Sequence, residues 1–173
     1  QVLGEIIFRA TGQDPGLFAK QNLFEPLNIK ADWWRDDVET GQANGNYLTY
    51  CCLDSTARDL AKFGYMLLLG GIETSEGRSY ASYVSTILAQ QETYQNQFWA
   101  YCDSPPFSVS TGCENILIVT VGFDGQYILV DQKNDIVLVR TSLYVPILNA
   151  SDDRKMRLNP LQLSASNWVA SLP

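Results

Sequence analysis

ILIVTVGFDGQYILVDQKNDIVLVR, residues 116–140, holds three β-rich runs separated by turn chemistry. The runs are 116–121, 126–131 (QYILVD) and 136–141 (IVLVRT). β-Branched and aromatic side chains favour a pleated, half-buried surface. Asp124-Gly125 reads as a turn. Gln132-Lys133-Asn134-Asp135 joins the last two runs as an antiparallel hairpin. This part of the chain is therefore expected to be an antiparallel sheet.

Upstream, the periodicity changes to that of helices. Residues 2–11 (VLGEIIFRAT) place Val2, Leu3, Ile6, Ile7 and Ala10 at helical spacing, and Gly12 stands where a C-cap belongs. Asp14 before Pro15 is an N-cap followed by proline at the first helical position. That second helix runs to about Phe24 and stops at Glu25-Pro26, because the residue before proline avoids the helical region. Residues 31–50 show no period and read as a long loop, which in a compact domain usually covers or serves a site. STARDLAKFGYMLLLGG, residues 55–71, is the clearest helix. Ser55 reads as its cap, Leu60, Phe63 and Leu67 as its inner face, and Gly70-Gly71 as its stop. A helix over about 79–91 turns Tyr83, Ile87 and Leu88 inward, and the following TYQNQFWAYC reads as a strand. A last helix, about 160–171, carries Leu161, Ala165, Trp168 and Leu172 on one side. Helices, then an antiparallel sheet, then a closing helix indicate an α+β fold with helices packed on the sheet.

Composition narrows the function. The chain has 173 residues, 46% hydrophobic and 18% charged, which is globular. No run approaches the roughly 20 apolar residues that span a bilayer. The net charge is −7, and no Lys/Arg cluster of the kind that neutralises phosphates is present; Arg154, Lys155 and Arg157 follow Asp152 and Asp153 and read as a solvated loop. Neither a nucleic-acid partner nor a membrane span is expected. There is no His and no Cys-x-x-Cys pair, so a structural zinc site is not expected; no metal and no cofactor are expected. Cys102 and Cys113 flank the Pro/Ser-rich DSPPFSVSTG segment, which a loop disulfide could close; the alternative is that all four cysteines are reduced and mostly buried. With the Asn149-Ala150-Ser151 sequon, the cysteines lean toward a secreted, periplasmic or other oxidising compartment.

Three segments, in order, resemble the β-lactamase-like serine hydrolases, which include class C β-lactamases, penicillin-binding proteins, esterases and 6-aminohexanoate-dimer hydrolases. LGEIIFRATGQDPGLFAKQNLFEPLNI (3–29) resembles the family's helix pair LLGxIIExVTGxxxxxFxxxxIFxPLGM. CCLDSTARDLAKFGYMLLLGG (51–71) resembles its S/T-ARDLARFG helix. GFDGQYILVDQKNDIVLVR (122–140) resembles its GxDGQYxxVxPxxDLVVVR hairpin.

The resemblance implies a mechanism and a set of site residues. A Ser-x-x-Lys nucleophile exchanges protons with its Lys and with the Tyr of a Tyr-x-Asn element, and an acyl-enzyme forms on the Ser. Thr120, Gly122, Phe123, Asp124, Gly125 and Gln126 would lie on the edge strand lining the site, with a backbone N–H of Gly122 or Phe123 facing the oxyanion. Tyr47 and Tyr50 would border the substrate cleft. No Ser in this sequence has a Lys three residues on, and in the family both elements precede the first matching segment. Residues 1–173 are thus expected to be a single C-terminal portion, its catalytic part carried elsewhere. Thr120 stands where the family often has Lys or His to meet a β-lactam carboxylate, which favours an ester or amide substrate over penicillin. The competing expectation is a catalytically silent structural or interaction subunit that needs a partner chain.

Overall fold

A computed structural model describes residues 1–36, 45–71, 73, 79–89, 93–103, 113–122 and 126–141. The chain divides into two compact units, Gln1–Phe63 and Gly64–Pro173. It is α+β, with helices and antiparallel sheets.

In the first unit, helix α1 spans Val2–Thr11 and ends because Gly12 takes a left-handed φ of 68° and donates its N–H to the Phe8 carbonyl. Helix α2, Pro15–Ala19, starts where the Asp14 carboxylate accepts the Gly16 and Leu17 amides at 2.9 and 3.4 Å. It continues as a wider turn over Lys20–Phe24 and closes past Pro26 at Asn28, whose φ is 52°.

Two expectations are corrected in this unit. The 31–50 segment is not all loop: strand β1, Ala31–Trp33, pairs antiparallel with β2, Leu53–Ser55, in the register Trp33↔Leu53. Three-residue strands are too short to show a period, and their pairing is non-local. Residues 37–44 lie outside the described set. Helix α1 also does not bury the expected stripe. Val2, Leu3 and Ile6 are 73%, 58% and 54% exposed. Its buried residue is Gly4, which lies so close to Thr49 that a Cβ would sit 2.5 Å from Oγ1. Close backbone approach, not apolar area, seats this helix.

Helix α3, Ala57–Leu68, spans the division between the units. Its cap is Thr56, not Ser55. Thr56 Oγ1 accepts the Asp59 amide at 3.1 Å, as an N-cap side chain does, and its hydroxyl donates to Asp59 Oδ2 at 2.8 Å. Ser55 ends β2 and donates to the Lys30 carbonyl. The helix stops at Gly70 and Gly71, with φ of 75° and 95°; their amides donate back to Leu67 and Met66 as a Schellman motif requires.

In the second unit, helix α4 spans Ala81–Leu88. Ile87 is buried as expected and Val84 joins it, but Tyr83 is 56% exposed, which corrects the expectation for that residue; its hydroxyl reaches the Asn96 carbonyl instead. The sheet has the order β3-β4-β5-β6-β7, formed by Tyr94–Gln95, Phe98–Cys102, Ile116–Gly122, Gln126–Asp131 and Ile136–Arg140. Every pairing is antiparallel. TYQNQFWAYC is a hairpin, not one strand. Asn96 and Gln97 take φ of 53° and 68°, the two positive values that match a tight turn to strand twist.

Alternation along the strands separates two faces. Leu117, Val119, Tyr127 and Leu129 form a buried cluster on one, joined by Trp99, Tyr101, Val121 and Leu138. Thr120, Ile128 and Val137 share the other. Gly64 of α3 packs on that second face: a Cβ there would lie 2.5 Å from Val137 Cγ1 and 2.9 Å from Ile128 Cγ2. The expected helix at 160–171, the Asn149 sequon and the Arg154–Arg157 cluster lie outside the described residues.

Candidate functional site

The candidate site in the second unit sits at the end of the β5–β6 ladder. Its residues are placed by register: Thr120↔Ile128, Val121↔Tyr127 and Gly122↔Gln126. Gly122 has little room for a side chain, since a Cβ would meet Gln126 Cβ at 3.1 Å and its carbonyl oxygen at 3.3 Å. Thr120 is half-buried, and its Oγ1 accepts the Ile128 amide at 3.1 Å. That leaves the hydroxyl hydrogen available to donate. Gln126 is exposed. Phe123, Asp124 and Gly125 lie outside the described residues.

β5 is the central strand, not an edge strand of the sheet, which corrects the position expected for Thr120–Gly122. Among the described residues it nevertheless has an open edge at one end. On its β4 side the described register runs from Cys102↔Ile116 only to Trp99↔Val119. Thr120–Gly122 extend beyond that point and pair with β6 alone among the described residues. Backbone groups of an unpaired strand end can receive a ligand or a polar reaction centre.

Tyr47 and Tyr50 belong to the first unit. Tyr47 is held by packing: its ring fills the space over Gly16, where a Cβ would come within 2.3 Å of Cζ. The Arg35 guanidinium lies 3.9 Å from its ring centroid and also donates to its hydroxyl. Tyr50 is 68% exposed and free to meet solvent-borne molecules. The structure thus brings Thr120, Gly122 and Gln126 together on one ladder, while the two tyrosines stand in the other unit.

Two further tyrosines belong to the buried face of the sheet: Tyr127 lies within the cluster and Tyr101 packs against it. Burial pushes the Tyr127 phenol above its ordinary pKa, against the opposing pull of Arg140. Burial also raises Tyr101, with Tyr127 adding to the effect. Both stay protonated at neutral pH, so neither is poised as a general base. The Tyr127 hydroxyl is buried with no hydrogen-bond partner among the described residues.

Cys102 and Cys113 are joined by a disulfide that closes the segment between β4 and β5. Cys51 and Cys52 are joined to each other. The second link was missed in the sequence, although an adjacent Cys-Cys pair was the available signal. Among the described residues, no group of three or more His, Cys, Asp or Glu comes together as a metal site. No described helix is long and apolar enough to cross a membrane. No protein-family model matches this sequence, and no curated protein matches it.

Proposed function

We propose that residues 1–173 form part of a β-lactamase-like serine hydrolase that opens a small ester or amide through an acyl-enzyme. The nucleophilic Ser-x-x-Lys and the Tyr-x-Asn element would come from outside these residues. The observation that carries the reading is the open end of β5. Its Thr120–Gly122 segment runs past the described β4 register, as a strand must if its amide is to face an oxyanion. The three motifs, met in order along the chain, support the same reading. A hydroxyl at position 120, in place of a cation, supports an ester or amide over a penicillin carboxylate.

The test is a tagged fluorophosphonate added to the natural protein purified from its source, followed by mass spectrometry. The expected result is one adduct, on a Ser of a Ser-x-x-Lys sequence, that an added ester competes away. A native protein of 19.4 kDa that takes up no probe would sink this reading. It would favour the second one, a silent subunit. One observation speaks for that alternative: Val2, Leu3, Ile6 and Phe8 present apolar surface on α1, which suits a partner chain.

A further inference from the structure

Cys51 and Cys52 are neighbours in sequence and linked to one another. A bond between adjacent residues closes almost no loop, so it adds little of the chain-entropy stabilisation that a longer bridge supplies. It can, however, hold the local backbone. Cys52 has a φ of 66°, a region that side chains with a Cβ rarely occupy. Both cysteine carbonyls are engaged by tryptophans: Trp33 Nε1 donates to the Cys51 carbonyl at 2.7 Å, and the Trp34 amide donates to the Cys52 carbonyl at 3.0 Å. The Cys51 amide donates to the Leu48 carbonyl at 3.0 Å. Leu53, the next residue, begins β2 opposite Trp33. The pair therefore sets the direction in which the chain enters the β1–β2 ribbon.

Access separates this disulfide from the other one. Cys52 is exposed and Cys51 half-buried, whereas the other bridge has no exposed member: Cys113 is half-buried and Cys102 is 4% exposed. Thiol–disulfide exchange needs a thiolate to reach a sulfur, so exposed bridges are the labile ones.

We propose that Cys51–Cys52 is a reversible redox-modification site, opened by a dithiol reductant, whose state controls the conformation of the Trp33–Trp34 ribbon. A thiolate of the reductant attacks the Cys52 sulfur. The S–S bond breaks, and its electron pair leaves on the Cys51 sulfur, which takes up a proton. The reductant's second thiol closes on the mixed disulfide and releases Cys52 as a thiol. The protein gains two electrons and two protons, and the dithiol becomes a disulfide. Once the ring is open, nothing covalent holds Cys52 in its left-handed conformation. The two carbonyls can then turn away from the tryptophans. This inference is independent of the hydrolase reading.

The test treats the natural protein with a small dithiol for a limited time, alkylates it, and maps the cysteines by mass spectrometry while tryptophan fluorescence is followed. The expected result is no label before reduction. After it, the peptide holding Cys51 and Cys52 carries two labels, and it opens roughly tenfold or more faster than Cys102–Cys113. Fluorescence shifts with the same time course and returns on reoxidation. A double variant, Cys51→Ser with Cys52→Gly, keeps a residue suited to positive φ and removes the bond; it should fold and show no reductant-dependent shift. Label on Cys51 or Cys52 before reduction would overturn the proposal. So would opening without any change in fluorescence, or an unchanged shift in the double variant.

Discussion

Gly64 of α3 lies directly against Val137 of β7, with space for a hydrogen and not for a methyl. Alanine is the better helix former, by about 1 kcal/mol. Forcing a methyl into a filled core costs about 1–3 kcal/mol. With both Val137 Cγ1 and Ile128 Cγ2 inside 3.0 Å of the added carbon, overpacking wins. Gly64→Ala should lower the midpoint of denaturant unfolding of the natural protein. Adding Val137→Ala should restore part of the loss, so the double variant is less destabilised than the two single effects summed. Full additivity would mean that the helix does not meet the sheet here.

Asp59 is the second case, and its sign is set by its partners. The Lys62 ammonium, at 2.6 Å, and then the Thr56 hydroxyl hold its carboxyl below the ordinary value of 3.8. A depressed folded-state pKa contributes stability above the unfolded value, and that contribution is lost as pH falls through the folded one. Wild type should therefore lead Asp59→Asn in thermal unfolding by a constant margin at neutral pH. The margin should begin to shrink near pH 4 and close further into acid. A margin that shrinks at alkaline pH instead would contradict this assignment. Thr56→Ala should cost about 1 kcal/mol through the lost cap, and Ser55→Ala less.

Asp131 is 5% exposed at the start of the β6–β7 turn. Its carboxylate accepts from Asn115 Nδ2 at 3.0 Å, from the Asn134 amide at 3.2 Å and from Asn134 Nδ2 at 2.8 Å. Removing the acceptor strands donors that are at least partly buried, at about 1–3 kcal/mol. Asp131→Ala should be destabilised by that amount in denaturant titration. The further change Asn115→Ala should then cost less than it does in wild type, because its partner is already gone.

Thr120 offers a test of site placement. If Thr120–Gly122 borders the reaction centre, Thr120→Lys installs a cation that a penicillin carboxylate can meet. Acylation by a labelled penicillin should then rise by about tenfold, equivalent to about 1.4 kcal/mol of transition-state stabilisation. Rates on a neutral ester should change far less. Equal effects on both substrates would place Thr120 away from the carboxylate.

Much of this architecture is legible in the sequence. The Asp14-Pro15 start, the Gly12 stop and the Gly70-Gly71 stop are chemistry completed within one helical turn. The β-rich runs at 116–121, 126–131 and 136–141 announced the ladders that formed. The hairpin at 94–102 was not announced, because Asn96-Gln97 contains no Gly and its positive φ values arise from the pairing of Tyr94 with Trp99. The candidate site was legible only as a motif. Residues 120, 122 and 126 are legible as part of that motif, but the point where the β4 register stops is not, because it depends on a second strand.

The sequence alone determined the described helices and the three extended runs at 116–121, 126–131 and 136–141, since caps, glycine stops and side-chain periodicity act between residues a few positions apart. The tertiary structure decided the rest: β1 with β2, Gly4 against Thr49, Gly64 against Val137, and the centre of the sheet for β5. Those choices depend on which distant surfaces approach closely enough to exclude a side chain. Neither hydropathy nor spacing records that, because a glycine at a close contact and a glycine in open solvent are written with the same letter.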